Sequence, residues 1–244
     1  SLVTSAVYIL NDLFDIEHDR NHPANSKRPL ASGEVSVLSA CIVMVLFLFL
    51  AGLLSIVFPD GLAWIVLILY FVTNLFYSYK LKKIPVLDVF ILAFGFLARI
   101  YYGGITSETT LSKWLILMIF LLSLFLGFAK RRSDLLISKN LVKKRNVLHH
   151  YNVQFLDVAI ILTLAISLIC YIMYSISDEI IMRFDFEYVY LSSIFVLYGV
   201  IRYLQHIYVF ENALSPTRIA WTDKHIQLSI LCWLGFYTYL LYAN

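Results

Sequence analysis

The segment NDLFDIEHDR, residues 11–20, concentrates acidic side chains directly after an apolar run. If the segment is helical, three carboxylates follow at i, i+3 and i+7 on one helix face, called here the acidic face: Asp12, Asp15 and Asp19. Asn11 lies beside this face and Glu17 points away from it. Carboxylates three and four residues apart repel each other, so the acidic face requires a cation. Mg²⁺ binds one or two carboxylates together with phosphate oxygens, and the pattern therefore predicts a metal-diphosphate site.

Basic residues follow the acids within a short distance along the chain. The stretch NSKRPLASG, residues 25–33, carries Lys27 and Arg28. Metal-bound phosphates need such cations nearby, because charge-assisted hydrogen bonds hold the remaining phosphate oxygens. The alternative interpretation of residues 11–20 is a solvated, acid-rich helix end that binds nothing.

The elements that must position these residues are membrane-spanning helices. The chain of 244 residues is 61% hydrophobic and 14% charged, and its mean hydropathy is +0.80. These values predict an all-α polytopic membrane protein with a single helical domain over residues 1–244. Seven complete spans are expected, at residues 36–58, 61–79, 86–105, 112–129, 153–176, 188–205 and 226–242. Residues 1–10 would form an incomplete eighth span, and because the chain begins at Ser1, native sequence is expected upstream.

The basic residues predict the orientation in the membrane. When alternate loops are assigned to opposite sides, 16 of the 19 Lys and Arg fall in residues 11–35, 80–85, 130–152 and 202–225. Loops rich in Lys and Arg face the cytoplasm, so the acidic face is expected at the cytoplasmic side of a bacterial inner membrane. The net charge of +3 is thus an orientation signal, and no nucleic-acid partner is predicted.

The pattern NDxxDxxxD, formed by Asn11, Asp12, Asp15 and Asp19, resembles the first signature of the UbiA superfamily of intramembrane prenyltransferases, and KRPLASG follows it as in that family. The resemblance extends over the whole chain and implies a UbiA-like helical bundle. Members of this superfamily have about nine spanning helices, which implies that one helix and part of the next precede Ser1.

A second stretch departs from the usual pattern of that family. Where typical members carry a second Asp-rich motif, this chain reads GFAKRRSDLL, with Lys130, Arg131 and Arg132 and only Asp134 as an acid. This basic replacement resembles the branch of decaprenyl-phosphate phosphoribosyltransferases. YSYKLKKIPVLDV, residues 77–89, and the C-terminal stretch from Val200 to Gln227 are also similar to that branch.

The resemblance implies transfer of 5-phosphoribose from phosphoribosyl pyrophosphate to a polyprenyl phosphate, with Mg²⁺ as cofactor and pyrophosphate as leaving group. Asp12 and Asp15 are the implied catalytic metal ligands, assisted by Asp19, and Lys130 and Arg131 are the implied catalytic cations. The other implied substrate contacts are Asn11, Asp19, Lys27, Arg28, Tyr77, Lys82, Asp134 and Arg202. No general base is required, because the phosphate of the lipid is already an anionic nucleophile.

The sequence leaves two other functions open. An ordinary UbiA prenyltransferase would move a prenyl group from its diphosphate to an aromatic acceptor, but it would need the second Asp-rich motif. A transporter or a membrane scaffold could use the acids as an ion site. Ion sites of transporters usually lie near the bilayer midplane on broken helices, whereas these acids are expected at a helix end.

Arg99 is expected within a span, on the same helix face as Asp88 and three turns further along. A mid-membrane Arg costs about 2.5 to 3.5 kcal/mol on insertion scales, so it should face the bundle interior or a polar cavity. Two roles are left open, a structural ion pair and a pocket wall. Arg99→Lys would reduce stability in the first case and substrate binding in the second.

Overall fold

The computed structural model describes residues 1–20, 25–56, 61–137, 146–210 and 216–243. Within these ranges the secondary structure is helical, with no β-strand, as the all-α prediction required. The chain divides into two compact units, Ser1–Thr110 and Leu111–Asn244. The acidic face belongs to the first unit and the basic stretch at residues 130–134 belongs to the second.

The first unit contains five α-helices and one 3₁₀ turn within its described residues: α1 Leu2–Arg20, α2 Pro29–Ser32, α3 Val37–Ser55, α4 Gly61–Tyr79, the 3₁₀ turn Leu81–Lys83, and α5 Leu87–Thr106. Helix α1 packs against α2, α3 and α4, and α4 packs against α5. Val7, Tyr70 and Ala98 form a buried cluster where α1, α4 and α5 meet.

Helix α1 is continuous from Leu2 to Arg20, so it extends well past the incomplete span expected at residues 1–10. The acids therefore lie on the helix itself, as the i, i+3, i+7 spacing required. Their charge also keeps α1 out of the set of helices apolar enough to cross a membrane by composition.

The short helix α2 turns the chain back after α1. Arg28 is extended, with φ −65° and ψ 141°, and Pro29 opens the helix at its first position, where a missing N–H costs nothing. Gly33 ends it in the left-handed region, at φ 85°, which glycine adopts without strain. The KRPLASG stretch thus places Arg28 at the start of a tight helical turn.

The second unit contains six α-helices and two 3₁₀ segments within its described residues: α6 Lys113–Ile137, the 3₁₀ segment Asn146–His150, α7 Val153–Ser175, α8 Asp178–Phe184, the 3₁₀ segment Glu187–Ser192, α9 Ser193–Tyr208, α10 Pro216–Thr222 and α11 Lys224–Ala243. Helix α6 packs along α7, and α9 packs along α11. Helix α6 continues past the expected span end at residue 129 to Ile137, so the loop expected from residue 130 is wrong and the basic stretch lies on a helix.

Five helices in the described part of the chain are long and apolar enough to cross a membrane, namely α3, α4, α5, α6 and α7. A sixth span is counted if α8 and Glu187–Tyr208 form one crossing, but these two segments meet at a bend of 104°. The chain is therefore a multi-pass membrane protein. The expected total of about eight spans is not confirmed by these criteria.

Candidate active site

One guanidinium joins two acids of the acidic face. Arg28 Nη1 donates to Asp12 Oδ1 at 2.8 Å and to Asp19 Oδ2 at 2.9 Å. Asn25 Nδ2 donates to the other oxygen of Asp19 at 2.8 Å. The segment after α1 therefore folds back over the helix and neutralises carboxylates two turns apart, which relieves their mutual repulsion.

The central acid of the face has its own cation. Lys82 Nζ, in the 3₁₀ turn after α4, lies 2.5 Å from Asp15 Oδ1. At the end of α4, Ser78 Oγ donates to Asn11 Oδ1 at 3.4 Å, and Tyr77 is buried beside Ser78. The structure thus brings Ser78 and Lys82 to α1 across 67 positions of the chain, and the predicted substrate contact at Tyr77 stays a prediction.

The side chains at the acidic face differ in their exposure to solvent. The side chains of Asp12 and Arg28 are 32% and 41% exposed, whereas those of Asp15 and Asp19 are 8% and 2% exposed. Solvent and ligands therefore reach this cluster at the Asp12–Arg28 edge. The Asp12–Arg28 pair at this edge is weakened by water and salt, so Arg28 can exchange Asp12 for a phosphate oxygen at little cost.

Two neighbouring charges point elsewhere. Glu17 is exposed, as its position off the acidic face predicted. Lys27 is also exposed and makes no ion pair within the described residues, so Arg28 is the cation of this stretch that meets the acids. The predicted substrate contact at Lys27 stays a prediction.

The acidic face offers oxygen donors of the kind that Mg²⁺ prefers. Within the described residues, no three acidic, His or Cys side chains are arranged as a ready metal site, and Arg28 and Lys82 pair with the carboxylates of the acidic face. Mg²⁺ needs only one or two protein carboxylates when phosphate oxygens and water complete its shell. Asp12 and Asp15, three residues apart on one face, fit that requirement, and the metal role of all three acids stays a prediction.

The three cations of the basic stretch of α6 differ in burial and in their partners. Lys130 is exposed, whereas Arg131 is 4% exposed and pairs with Asp134 at 3.6 Å, one turn along the helix. Arg132 Nε donates to Asp157 Oδ1 at 2.6 Å, and Arg132 Nη2 to the carbonyl oxygen of Ile207 at 3.5 Å. Arg132 therefore ties α6 to α7 and α9, and it is the cation of this stretch with a clear structural role.

Arg202 lies in a dense polar cluster, called here the Asp223 cluster: Arg202, Gln205, His206 and Asp223. Asp223 Oδ2 accepts from Arg202 Nε at 3.1 Å and Nη2 at 2.8 Å, and it lies 2.8 Å from His206 Nε2. Arg202 Nη1 donates to Gln205 Oε1 at 2.7 Å. Hydrogen bonds from Arg202, and then from His206, hold the pKa of Asp223 well below its ordinary value.

The same carboxylate also begins a helix. Asp223 Oδ1 accepts the backbone N–H of Ile226 at 2.9 Å, so Asp223 is the N-cap of α11. The predicted substrate residue Arg202 is thus engaged by a structural acid. Sequence reasoning missed Asp223, His206 and Asp157, although an acid two or three residues before an apolar run is a helix-start signal that could have found Asp223.

Comparisons with known proteins identify the family of the chain. Residues 1–207 match the sequence profile of the UbiA prenyltransferase family. The decaprenyl-phosphate phosphoribosyltransferase of Mycolicibacterium smegmatis is 29% identical over 240 residues, which cover 96% of this chain and 75% of that protein. The enzyme of the same name from Mycobacterium tuberculosis strain H37Rv is 28% identical over 242 residues, covering 96% of this chain and 76% of the relative.

A solved structure shares the fold. The structure of a UbiA homolog from Archaeoglobus fulgidus bound to DMAPP and Mg²⁺ matches this chain with a TM-score of 0.69 at 18% identity. The match covers 98% of this chain and 83% of the archaeal one. At this identity the likeness concerns the arrangement of helices and not the substrate.

Proposed function

Because the chain belongs to the UbiA prenyltransferase family, we propose that it uses the acidic face of α1 for group transfer at the membrane. The proposed donor is phosphoribosyl pyrophosphate and the proposed acceptor is a polyprenyl phosphate. An oxygen of the lipid phosphate forms a bond to C1 of the ribose, the bond from C1 to the pyrophosphate oxygen breaks, and pyrophosphate leaves with the electron pair.

The basic stretch of α6 is the observation that favours phosphoribosyl transfer over prenyl transfer. Between Lys130 and Asn152 the sequence contains a single acid, Asp134, where a second metal-binding pair would be needed for two-motif chemistry. Phosphoribosyl pyrophosphate brings about five negative charges and a lipid phosphate up to about two, so cations suit these substrates better than further carboxylates. Relatives named decaprenyl-phosphate phosphoribosyltransferase over nearly the whole chain support the same choice.

The proposed division of labour follows the chemistry of each group. Asp12 and Asp15 would hold Mg²⁺, which neutralises the charge that develops on the leaving pyrophosphate. Arg28 and Lys82 already contact these acids and would take up pyrophosphate oxygens beside them. Lys130 and Arg131 would hold phosphate oxygens of donor and acceptor, so positioning and electrostatics supply the rate.

The proposed location is the bacterial inner membrane, with the acidic face towards the cytoplasm. The excess of Lys and Arg on the loops next to the acids supports this orientation. A charged, soluble donor would then arrive from the cytoplasm, while the polyprenyl tail of the acceptor stays in the bilayer.

Prenyl transfer from a prenyl diphosphate is the second candidate. The likeness to the archaeal UbiA homolog bound to DMAPP and Mg²⁺ favours it, because the folds agree. The single acid in residues 130–152 counts against it, since prenyltransferases of this family use two Asp-rich motifs on the diphosphate.

Membranes containing the protein decide between the two candidates. They are offered radiolabelled phosphoribosyl pyrophosphate with decaprenyl phosphate, or labelled prenyl diphosphate with an aromatic acid, each with and without Mg²⁺. We expect a labelled lipid only from the first pair, lost when EDTA removes Mg²⁺. A prenylated aromatic product would overturn the proposal.

The variant Asp12→Ala should lower this turnover about a thousandfold, because removing a charge-stabilising group of the transition state costs roughly that factor. Glu17→Gln is the matched control, since it removes one acid from the same helix on the exposed side. Both variants should keep the melting temperature of the wild type. Turnover by Asp12→Ala close to that of Glu17→Gln would exclude the metal role.

A further inference from the structure

One guanidinium of the second unit joins three helices beside the basic stretch of α6. Arg132 Nε donates to Asp157 Oδ1 of α7 at 2.6 Å, and Arg132 Nη2 donates to the carbonyl oxygen of Ile207 in α9 at 3.5 Å. The side chains of Arg132 and Asp157 are 9% and 17% exposed, so water and salt screen this ion pair only weakly. The mechanism proposed above uses neither residue.

The contacts of Arg132 lie near the ends of all three helices. Arg132 precedes the end of α6 at Ile137, Asp157 lies in the second turn of α7, and Ile207 lies in the last turn of α9. Carbonyl oxygens in the last turn of a helix lack N–H partners within that helix, so the guanidinium also helps to satisfy the end of α9. Arg132 therefore holds the end of α6 against the beginning of α7 and the end of α9.

The direction of Arg132 also determines where its two neighbours point. Successive side chains of an α-helix differ in direction by about 100°, so Arg131 points about 100° and Lys130 about 200° away from Arg132. Their burial agrees with these directions. Lys130, almost opposite Arg132, is exposed, whereas Arg131 is 4% exposed and pairs with Asp134. A rotation of the end of α6 would therefore move both cations of the proposed site.

Apolar packing fixes this end of α6 less firmly than it fixes the preceding turns. Residues 130–137 bury one apolar side chain, that of Leu135. Residues 124–129 bury four, those of Leu124, Phe125, Phe128 and Ala129. Apolar burial has no preferred direction, whereas a hydrogen-bonded ion pair depends on the alignment of its atoms. The Arg132–Asp157 pair is therefore the directional contact at this end of the helix.

We propose that Asp157 is a positioning residue for the transfer reaction. By holding Arg132, its carboxylate fixes the rotation of the end of α6 and so directs Lys130 and Arg131 towards the phosphate groups of donor and acceptor. This inference rests on the proposed function, in which Lys130 and Arg131 hold phosphate oxygens. Asp157 acts through Arg132 and not by contact with substrate.

Cysteine labelling measures the rotation of α6 without turnover. The three cysteines of the full chain are first replaced by Ser, and Lys130→Cys or Arg131→Cys is then introduced for reaction with a polar maleimide in detergent. We expect position 130 to react rapidly and position 131 slowly. Asp157→Asn keeps the size of the side chain and removes its charge, so it should raise the rate at position 131 severalfold.

Tyr171→Phe is the matched control on the same helix. The hydroxyl group of Tyr171 accepts from Trp233 Nε1 at 2.6 Å and lies 2.7 Å from Ser192 Oγ. It is fourteen residues from Asp157, or about 21 Å along the axis of α7. This variant also loses buried hydrogen bonds and should melt at a lower temperature, but it should leave the labelling rate at position 131 unchanged.

Turnover in membranes supplies the second measurement, with phosphoribosyl pyrophosphate and decaprenyl phosphate as substrates. Asp157→Asn should lower kcat/KM for phosphoribosyl pyrophosphate about a hundredfold, because a displacement of about 1 Å in a positioning group costs roughly that factor. Tyr171→Phe should keep the kcat/KM of the wild type. If Asp157→Asn does not fold, Arg132→Lys replaces it, since Lys keeps the charge and loses the planar group that reaches Asp157 and Ile207 together.

The outcomes separate the positioning role from the proposed function. Slow labelling of position 131 in both Asp157→Asn and Arg132→Lys would overturn the positioning role, and so would equally rapid labelling in Tyr171→Phe. Rapid labelling in Asp157→Asn with an unchanged kcat/KM would also overturn it, because the rotation would then not matter to the substrate. A wild type that transfers no phosphoribose would refute the proposed function, while the labelling rates would still report the rotation of α6.

Discussion

The acidic face and the Asp223 cluster are built from the same kinds of ion but differ in burial. At the acidic face the Asp12–Arg28 pair is 32% and 41% exposed, and its cation comes from the segment after α1. In the Asp223 cluster the carboxylate and Arg202 are 6% and 21% exposed, and their bonds join α9 to the first turn of α11. The exposed Asp12–Arg28 pair can release its cation to a ligand, whereas the Asp223 cluster holds two helices together.

The comparison shows that a charged residue in a stretch that resembles a known family is not always a substrate contact. Arg202 has both its Nε and Nη2 on Asp223 and its Nη1 on Gln205. The substrate role predicted for Arg202 stays untested, but its contacts are those of a side chain that holds two helices together. Arg28, which is 41% exposed and pairs with the partly exposed Asp12 as well as with the buried Asp19, has the exposure of a substrate contact.

Asp223→Ala should have the largest effect on stability. Removing one partner of a buried ion pair costs about 3 to 5 kcal/mol, and we expect the upper end because the substitution also strips His206 of its partner and α11 of its N-cap. Asp223→Asn keeps one acceptor oxygen, so it can keep the N-cap of α11 but not the bonds from Arg202, and it should lose less stability. Thermal unfolding in detergent measures both.

The wild type should also show a pH dependence that Asp223→Asn lacks. The pKa of Asp223 is held below its ordinary value, mainly by hydrogen bonds from Arg202, so its stabilising effect is complete above about pH 4 and is lost as the pH falls further. A stable Asp223→Ala protein with strongly reduced turnover would reverse the comparison and make this cluster part of the active site.

The sequence predicted those features that depend on local pattern. The apolar runs at 61–79 and 153–176 match α4 and α7 closely, because an isolated stretch of about twenty apolar residues has no alternative to a helix in lipid. The acidic face followed from helical periodicity once α1 extended past Leu10.

Features that depend on distant partners were not predictable in the same way. Lys82 meets Asp15 across 67 positions and Arg132 meets Asp157 across 25, and composition does not say which cation packs against which acid. The extension of α6 through the basic stretch and the bend of 104° after α8 also depend on packing around these helices, not on hydropathy.

Lys82→Met should have the second-largest effect on stability and tests an intermediate case. The Lys82–Asp15 pair is buried like the Asp223 cluster, with 14% and 8% of the side chains exposed, but it belongs to the acidic face. We expect a loss of about 3 kcal/mol, the lower end of the range for a broken buried pair. Since Lys82 is also a proposed phosphate contact, turnover should fall more than unfolding alone explains.

Added Mg²⁺ supplies the control for Lys82→Met. If Asp15 is a metal ligand, the ion replaces the missing cation, and Mg²⁺ should recover part of the lost melting temperature. No recovery, with a loss as large as that of Asp223→Ala, would place Asp15 and Lys82 among the structural braces.

Arg28→Gln should have the smallest effect on stability. It should tighten the binding of a metal ion and weaken the binding of phosphoribosyl pyrophosphate. Arg28 competes with a cation for Asp12 and Asp19, so its removal should tighten the binding of Mn²⁺, measured by electron paramagnetic resonance without substrate. The expected gain is about fivefold, because a partly exposed ion pair is worth about 1 kcal/mol. The KM for phosphoribosyl pyrophosphate should rise at the same time, since a phosphate donor is lost. Arg20→Gln removes the same charge near the end of α1 from a side chain that bonds the carbonyl oxygen of Ala31 and, in the part of the chain that the structure describes, no acid, so it separates general electrostatics from direct competition. Tighter Mn²⁺ binding in both variants would mean that Arg28 acts only through the net charge, and the exchange of carboxylates for phosphate at this edge would then have no support.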